Sequence, residues 1–187
     1  MFQSERLTYR QLNESDFQIF YEVYSNQDVM KYTYLDAITS LEEAKNTFQG
    51  VLERQKDGSQ GIQYVATLGN HVDIGIVDYD VIMKNDVGGI FELGYFIKPE
   101  FWGLGFATEM SEAFIDFLFQ NYSIHKIIAS CNSHNLSSEH VMKKLGMTYE
   151  GRLRKVRFKN GIWVDETKYG LLREEWMIIK NNEEQRV

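Results

Sequence analysis

Apolar residues recur along this chain with two periods, and the switches between them divide it into elements. Arg6 to Leu12 alternates and predicts a first strand. Asn13 to Tyr24 predicts a helix, with Asn13 as N-cap and the acids Glu14 and Asp16 in its first turn. Ser40-Leu41-Glu42-Glu43 has capping-box spacing and opens a second helix reaching Gln55, ended by Asp57-Gly58-Ser59. Two strands follow, Ile62 to Leu68 and Val72 to Ile82, joined at Gly69-Asn70. A further strand, Ile90 to Ile97, comes after the turn Asn85-Asp86-Val87-Gly88-Gly89.

From Gly103 to Asn121 the period becomes helical, with Met110, Phe114, Phe117 and Leu118 three and four residues apart. Ile127 to Cys131 predicts a short strand and Asn135 to Leu145 a helix, stopped at Gly146. Lys159-Asn160-Gly161-Ile162 sets an Asn-Gly turn between the arms of a closing hairpin. The order β-α-α-β-β-β-α-β-α-β-β predicts an α+β fold of about seven strands in one mixed sheet, flanked by about four helices. The chain has one proline, no Ser/Gly tract and no repeat, so residues 1–187 read as a single domain.

Composition narrows the class. A hydrophobic content of 43% argues for a packed core and against disorder. Runs such as Trp176-Met177-Ile178-Ile179 are too short to span a bilayer, and no secretory signal opens the chain, so a cytoplasmic protein with no membrane partner is expected. The lone Cys131 excludes an intramolecular disulfide, and the dispersed His125, His134 and His140 offer no metal-ligand spacing, so no metal is expected. The net charge of −7 divides into −11 over residues 1–141 and +4 over residues 142–187. That balance argues against nucleic acid as a partner. It suits a cationic substrate at the acidic part, and a small polyanion at Lys143, Lys144, Arg152, Arg154, Lys155 and Arg157.

The main chemical signal is the junction of the Ile90–Ile97 strand with the helix beginning near Gly103. Gly103 and Gly105 remove side chains where a ligand must approach the backbone. Free N–H groups of the first helical turn, with the helix dipole, then make an anion site. A P-loop is excluded because Phe106-Ala107 follows Gly105 in place of Lys-Ser/Thr. A dinucleotide fingerprint is excluded because position 108 is threonine and no ribose-binding acid follows.

The segment Glu92-Leu93-Gly94-Tyr95-Phe96-Ile97-Lys98-Pro99-Glu100-Phe101-Trp102-Gly103-Leu104-Gly105-Phe106-Ala107-Thr108-Glu109 resembles the acetyl-CoA motif of the GNAT N-acetyltransferases. The likeness is to the RimJ/RimL-type branch, which acetylates the N-termini of ribosomal proteins. It extends to Glu5-Arg6-Leu7-Thr8-Tyr9-Arg10, to Asn135-Leu136-Ser137-Ser138 leading into Lys144-Leu145-Gly146-Met147, to Glu150-Gly151-Arg152-Leu153-Arg154, and to Tyr169-Gly170-Leu171-Leu172-Arg173-Glu174-Glu175-Trp176. The resemblance implies a mostly antiparallel sheet and acetyl-CoA as acyl donor. It implies that backbone groups of Tyr95, Phe96 and Ile97 pair with the pantetheine amides. Trp102 stands where the superfamily usually has Gln or Arg; its loop, Trp102, Gly103, Leu104, Gly105, Phe106, Ala107 and Thr108, holds the pyrophosphate. Asn135 meets the pantetheine arm near the thiol, and Lys143 is the expected contact for the adenosine phosphates.

Acetyl transfer needs a neutral amine, whereas a lysine-like amine has a pKa near ~10. A carboxylate is the natural proton acceptor. Glu92, on the same strand face as Gly94 and Phe96, is the first candidate, with Asp78 and Asp80 in reserve. The tyrosine that many GNAT enzymes use as acid is replaced by Met142, so Ser138 is the candidate to protonate the thiolate, with Tyr149 behind it. The acceptor is a primary amine: a protein or peptide N-terminus, including that of a ribosomal protein, or a small amine such as a polyamine or aminoglycoside. The alternative is a CoA-binding sensor with little catalysis. The C-terminal strands offer an edge through which a homodimer can pair.

Overall fold

The computed structural model describes residues 1–69 and 71–185. Its strands are β1 (Phe2–Gln3), β2 (Leu7–Gln11), β3 (Gly61–Leu68), β4 (Val72–Asn85), β5 (Gly88–Ile97), β6 (Ile124–Asn132), β7 (Thr148–Lys159) and β8 (Ile162–Leu172). They form one sheet in the order β1-β2-β3-β4-β5-β6-β8-β7, antiparallel throughout except at β5–β6. The helices are α1 (Phe17–Tyr24), α2 (Gln27–Met30), α3 (Leu41–Arg54), α4 (Phe106–Asn121), α5 (Leu136–Lys144) and α6 (Arg173–Glu184). The mixed, mostly antiparallel sheet is as the pattern and the resemblance imply. The turn expected at Gly69-Asn70 lies outside the described residues at Asn70.

Several boundaries differ for physical reasons. β1 and α2 are too short to show a period. β4 runs past Ile82 because a bulge carries its pairing from Val81 to Met83, which breaks the alternation there. α4 begins at Phe106 because Gly103 and Gly105 have φ of +75° and +83°, a backbone no helix contains. α6 was unread because its sequence is mostly polar, yet Trp176 is buried and its indole Nε1 donates to Asp116 Oδ1 at 2.6 Å. Glu175 closes that helix's first turn by accepting from the Leu172 N–H at 2.8 Å.

Alternation along the strands sends side chains to two cores. On one face Phe91, Leu93 and Ile127 pack with Met110, Phe114 and Leu118 of α4. On the other, Val65 and Ile76 pack with Phe20 of α1 and Phe48 of α3. The sheet is therefore covered on both sides, and the site lies where its middle opens. β5 and β6 pair only from Gly89↔Ile124 to Glu92↔Ile128. Beyond that β5 continues beside β4 to Ile97↔Gly75, while β6 stays with β8 to Asn132↔Glu166. The two central strands part and leave a wedge.

Candidate active site

The wedge exposes backbone that a sheet would otherwise pair. The Lys98 N–H donates to the Ile74 carbonyl at 2.9 Å, which fixes the edge each β5 residue turns to β4. By alternation, Tyr95 and Ile97 turn their main-chain groups into the wedge. Phe96 differs from the expectation: its carbonyl lies against Gly75 on β4, because adjacent residues face opposite edges. The Trp102 indole Nε1 donates to the Ile97 carbonyl at 2.7 Å and ties the following loop to the strand end.

That loop leads into the amino end of α4. Gly105 is its N-cap and supplies no side-chain acceptor, so the amides of the first turn, from Phe106 through Thr108, are not capped by a side chain. Space beside Gly103 is open, with no atom within 4 Å of where a Cβ would stand. Uncapped amides, a 16-residue helix dipole and open space fit a diphosphate, and the wedge beside them fits an amide-bearing arm.

On the α1–α3 side the wedge meets a cavity of about 490 Å³. Asp78, Asp80 and Glu92 line it from β4 and β5; Tyr95, Asn135 and Ser138 line it toward α5. Asp80 faces Glu92 across the strands, and Asp78 faces Gly94. A Cβ at Gly94 would stand 2.1 Å from Asp78 Oδ1, so only glycine leaves room for that carboxyl. Gln63 Nε2 donates to Asp78 Oδ2 at 3.2 Å and to the Tyr24 hydroxyl at 2.9 Å, while Gln63 Oε1 is buried without a partner. Burial first, then the charge of Asp80, pushes the Asp78 carboxyl up to about 7. Burial also raises Asp80.

Glu92 sits in a different setting. Ser130 Oγ donates to its Oε1 at 2.6 Å, and Lys168 Nζ lies 3.8 Å away while donating to Ser130 at 2.8 Å. Lys168 also pairs with Glu166 at 2.6 Å, as does Arg157 at 2.9 Å. Burial opposes ionisation of Glu166, but hydrogen bonds from Lys168, Tyr34 and Arg157 hold it below the usual carboxylate range. Arg157 in turn stacks over the Tyr34 ring at 4.1 Å.

Toward α5, the Tyr95 hydroxyl and Ser138 Oγ are 2.8 Å apart. Burial pushes the Tyr95 phenol above its ordinary value, so it is protonated at neutral pH and can donate. Asn135 caps α5, its Oδ1 accepting from the Ser138 N–H at 3.2 Å.

Residues 6–148 match the Acetyltransferase (GNAT) domain family. This chain belongs to the GNAT acetyltransferases. It is 31% identical to the uncharacterized N-acetyltransferase YnaD of Bacillus subtilis, over 92% of this chain and 97% of that protein. Its fold matches a Vibrio cholerae spermidine N-acetyltransferase solved with CoA and spermine, with a TM-score of 0.81 and 23% identity over 92% of this chain and 98% of that one. It also matches RimL, a ribosomal alpha-N-protein acetyltransferase solved with coenzyme A, with a TM-score of 0.80 and 21% identity over 92% and 97% of the two chains. No helix among the described residues is long and apolar enough to cross a membrane. No cluster of three His, Cys, Asp or Glu side chains able to hold a metal occurs among them either.

Within this GNAT domain several other residues singled out in the sequence are engaged by contacts of their own. Lys143 lies on an exposed face of α5 and pairs with Glu139 at 2.6 Å. Two of its neighbours in the basic segment are likewise paired, Arg152 with Asp165 at 2.7 Å and Arg157 with Glu166. His134 bonds Asn132 Oδ1 at 3.2 Å. Met142 is core, and Tyr149 is exposed on β7. Cys131 does reach the cavity lining, but it is buried beside Thr167 Oγ1 at 3.2 Å, and burial pushes its thiol up, away from the nucleophilic thiolate. Three contributors went unread in the sequence: the Tyr95 phenol, Gln63, and the Tyr34–Glu166 pair. Each acts through a contact between residues distant in the chain, for which no local period exists.

Proposed function

We propose that this GNAT chain transfers the acetyl group of acetyl-CoA to a primary amine of a small polycationic acceptor. One observation carries this reading: Asp78, Asp80 and Glu92 line a single cavity that opens on the wedge between β5 and β6. Three acidic side chains against one lining cation, Arg54, give the cavity an acidic balance that supports a polyamine with several cations as acceptor. Bound acetyl-CoA supplies the activated thioester. Tyr95 and Ile97 pair with the amides of its pantetheine arm along the open edge of β5. The first-turn amides of α4 hold the diphosphate.

Asp78 takes the proton of the attacking amine. A carboxyl near 7 is well matched to a reaction at neutral pH, being ionised often enough to act and basic enough to accept. Glu92, oriented by Ser130, holds a neighbouring ammonium and fixes the acceptor's register. The Tyr95 phenol, with Ser138, donates to the departing sulfur. This division of labour modifies the expectation from sequence, in which Glu92 was the base and Ser138 the acid. The protein acts in the cytoplasm, and the open outer edge of β7 is the surface on which a homodimer reading rests.

Thiol release from acetyl-CoA against spermidine, spermine, an aminoglycoside and a serine-initiated peptide tests the assignment. Acceptor-dependent release is expected with the polyamines above all. Release greatest with the peptide would transfer the reading to protein N-termini, and none with any amine would support a CoA-binding sensor. In the active reaction Asp78→Asn lowers kcat by about 100-fold or more and abolishes the rise in rate through neutral pH, whereas Glu92→Gln mainly raises the acceptor KM.

A further inference from the structure

The N-terminal block around Arg6 has no part in the cavity, yet it reaches the phosphate loop from 98 positions away. Arg6 Nη1 donates to the Leu104 carbonyl at 3.1 Å, and Nε donates to Glu109 Oε2 at 2.6 Å. The Arg6 main-chain N–H and Ser4 Oγ both donate to Glu109 Oε1, each at 2.7 Å. The guanidinium lies over the Phe106 ring, 4.1 Å from its centroid. Burial opposes ionisation of Glu109, but the bonds from Ser4 and Arg6 hold its carboxyl below the ordinary range. One side chain thus grips the loop at Leu104, the first helical residue Phe106 and the first turn of α4.

We propose that Arg6 is a positioning residue for the diphosphate site, with Glu109 as its anchor. A trans peptide is planar, so its carbonyl and the next N–H point in opposite directions. Turning the Leu104 carbonyl toward Arg6 turns the Gly105 N–H away from it, while Gly103 leaves open space beside the loop. Without that grip, the peptide between two positive-φ glycines is free to rotate, and the loop's amides lose their common direction. The clamp makes the anion site preorganised. Arg6 acts through backbone orientation; its own charge is largely matched by Glu109.

This inference rests on acetyl-CoA as donor, and the experiment separates the two. The dissociation constant for CoA is measured for wild-type protein, Arg6→Ala and Arg6→Lys. Rates are measured with acetyl-CoA and with S-acetyl-N-acetylcysteamine, a thioester donor that has no diphosphate. Arg6→Ala is expected to weaken CoA binding and raise the acetyl-CoA KM about 10- to 100-fold. Its kcat at saturation stays within about twofold, and its rate with the small thioester is unchanged. Arg6→Lys keeps the pairing with Glu109 but lacks the second arm of the guanidinium fork, so it shows the same direction of change with little shift in melting temperature. Unaltered CoA binding in both variants would overturn the clamp. So would equal losses with both donors, the mark of a merely structural residue. Wild-type protein that uses the small thioester but does not bind CoA would overturn the donor assignment, and the clamp with it.

Discussion

Asp78 is a buried carboxyl with a neutral hydrogen-bond partner and a like charge beside it. Ionising such a group in the folded protein is costly, which is why it holds its proton to about pH 7. The folded value lies above the ordinary carboxylate value near ~3.9, so the proton stabilises the fold. That contribution is complete below about pH 4 and is lost as pH rises through about 7. Asp78→Asn removes the ionisation altogether. The variant should be more stable than wild-type protein at pH 8, on the order of 2–4 kcal/mol, with the difference closing toward pH 4. Urea denaturation at the two pH values measures it, and a gap equal at both would contradict a buried ionised Asp78. The lower activity expected of the same variant makes this a case of stability given up for function. Alternation alone placed Asp78 and Asp80 on one strand face. The room above Gly94, and the burial of Asp78 that the charge of Arg54 only partly offsets, are matters of which strands and helices are neighbours.

At the scale of elements, α4 is set at both ends by residues far from it in sequence. Its amino end is held by Arg6 and Glu109. At its carboxyl end Arg173 donates to the carbonyls of Phe119, Tyr122 and Ile124 at 2.6, 2.7 and 2.7 Å. A cation there meets the negative end of the helix dipole and satisfies carbonyls that the helix itself leaves free. Arg173→Ala should cost about 2–4 kcal/mol, for loss of three charge-assisted bonds. Lysine at that position recovers less than half, because a single ammonium cannot reproduce the planar fork. Thermal or urea denaturation checks this, and a wild-type-like lysine variant would show that charge alone matters. The long helix α4 was legible from its apolar period. Its start was misplaced by three residues, since periodicity does not register the positive φ of Gly103 and Gly105. The helix that begins at Arg173 was missed because its buried stripe, Trp176 with Ile179, is narrow.

Across the whole molecule, the uneven charge of the sequence takes a functional shape only when folded. The excess of acids in residues 1–141 includes the three that line the cavity. The basic C-terminal part is largely paired with carboxylates, several on the same hairpin, as at Arg152–Asp165 and Lys168–Glu166. An acidic cavity draws cations by a field that salt screens, with a Debye length of about 10 Å at 0.1 M. At saturating acetyl-CoA, kcat/KM for a polyamine should fall several-fold between about 50 and about 500 mM KCl, and that of a monoamine much less. Steady-state kinetics at the two salt concentrations decides it; equal sensitivity would remove the field from acceptor recognition.

The α+β class and the GNAT family were legible in the chain, as was a glycine loop from Trp102 to Thr108 leading into a helix, because these rest on local period, glycine placement and ordered blocks. Tertiary structure alone decided the rest. The parting of β5 from β6 after Glu92↔Ile128, the meeting of Tyr95 with Ser138 and the reach of Arg6 to Leu104 all join distant segments. Local sequence records which conformations a segment prefers. Which carboxyl loses its water, and which amide is turned toward a ligand, is settled only when those segments pack.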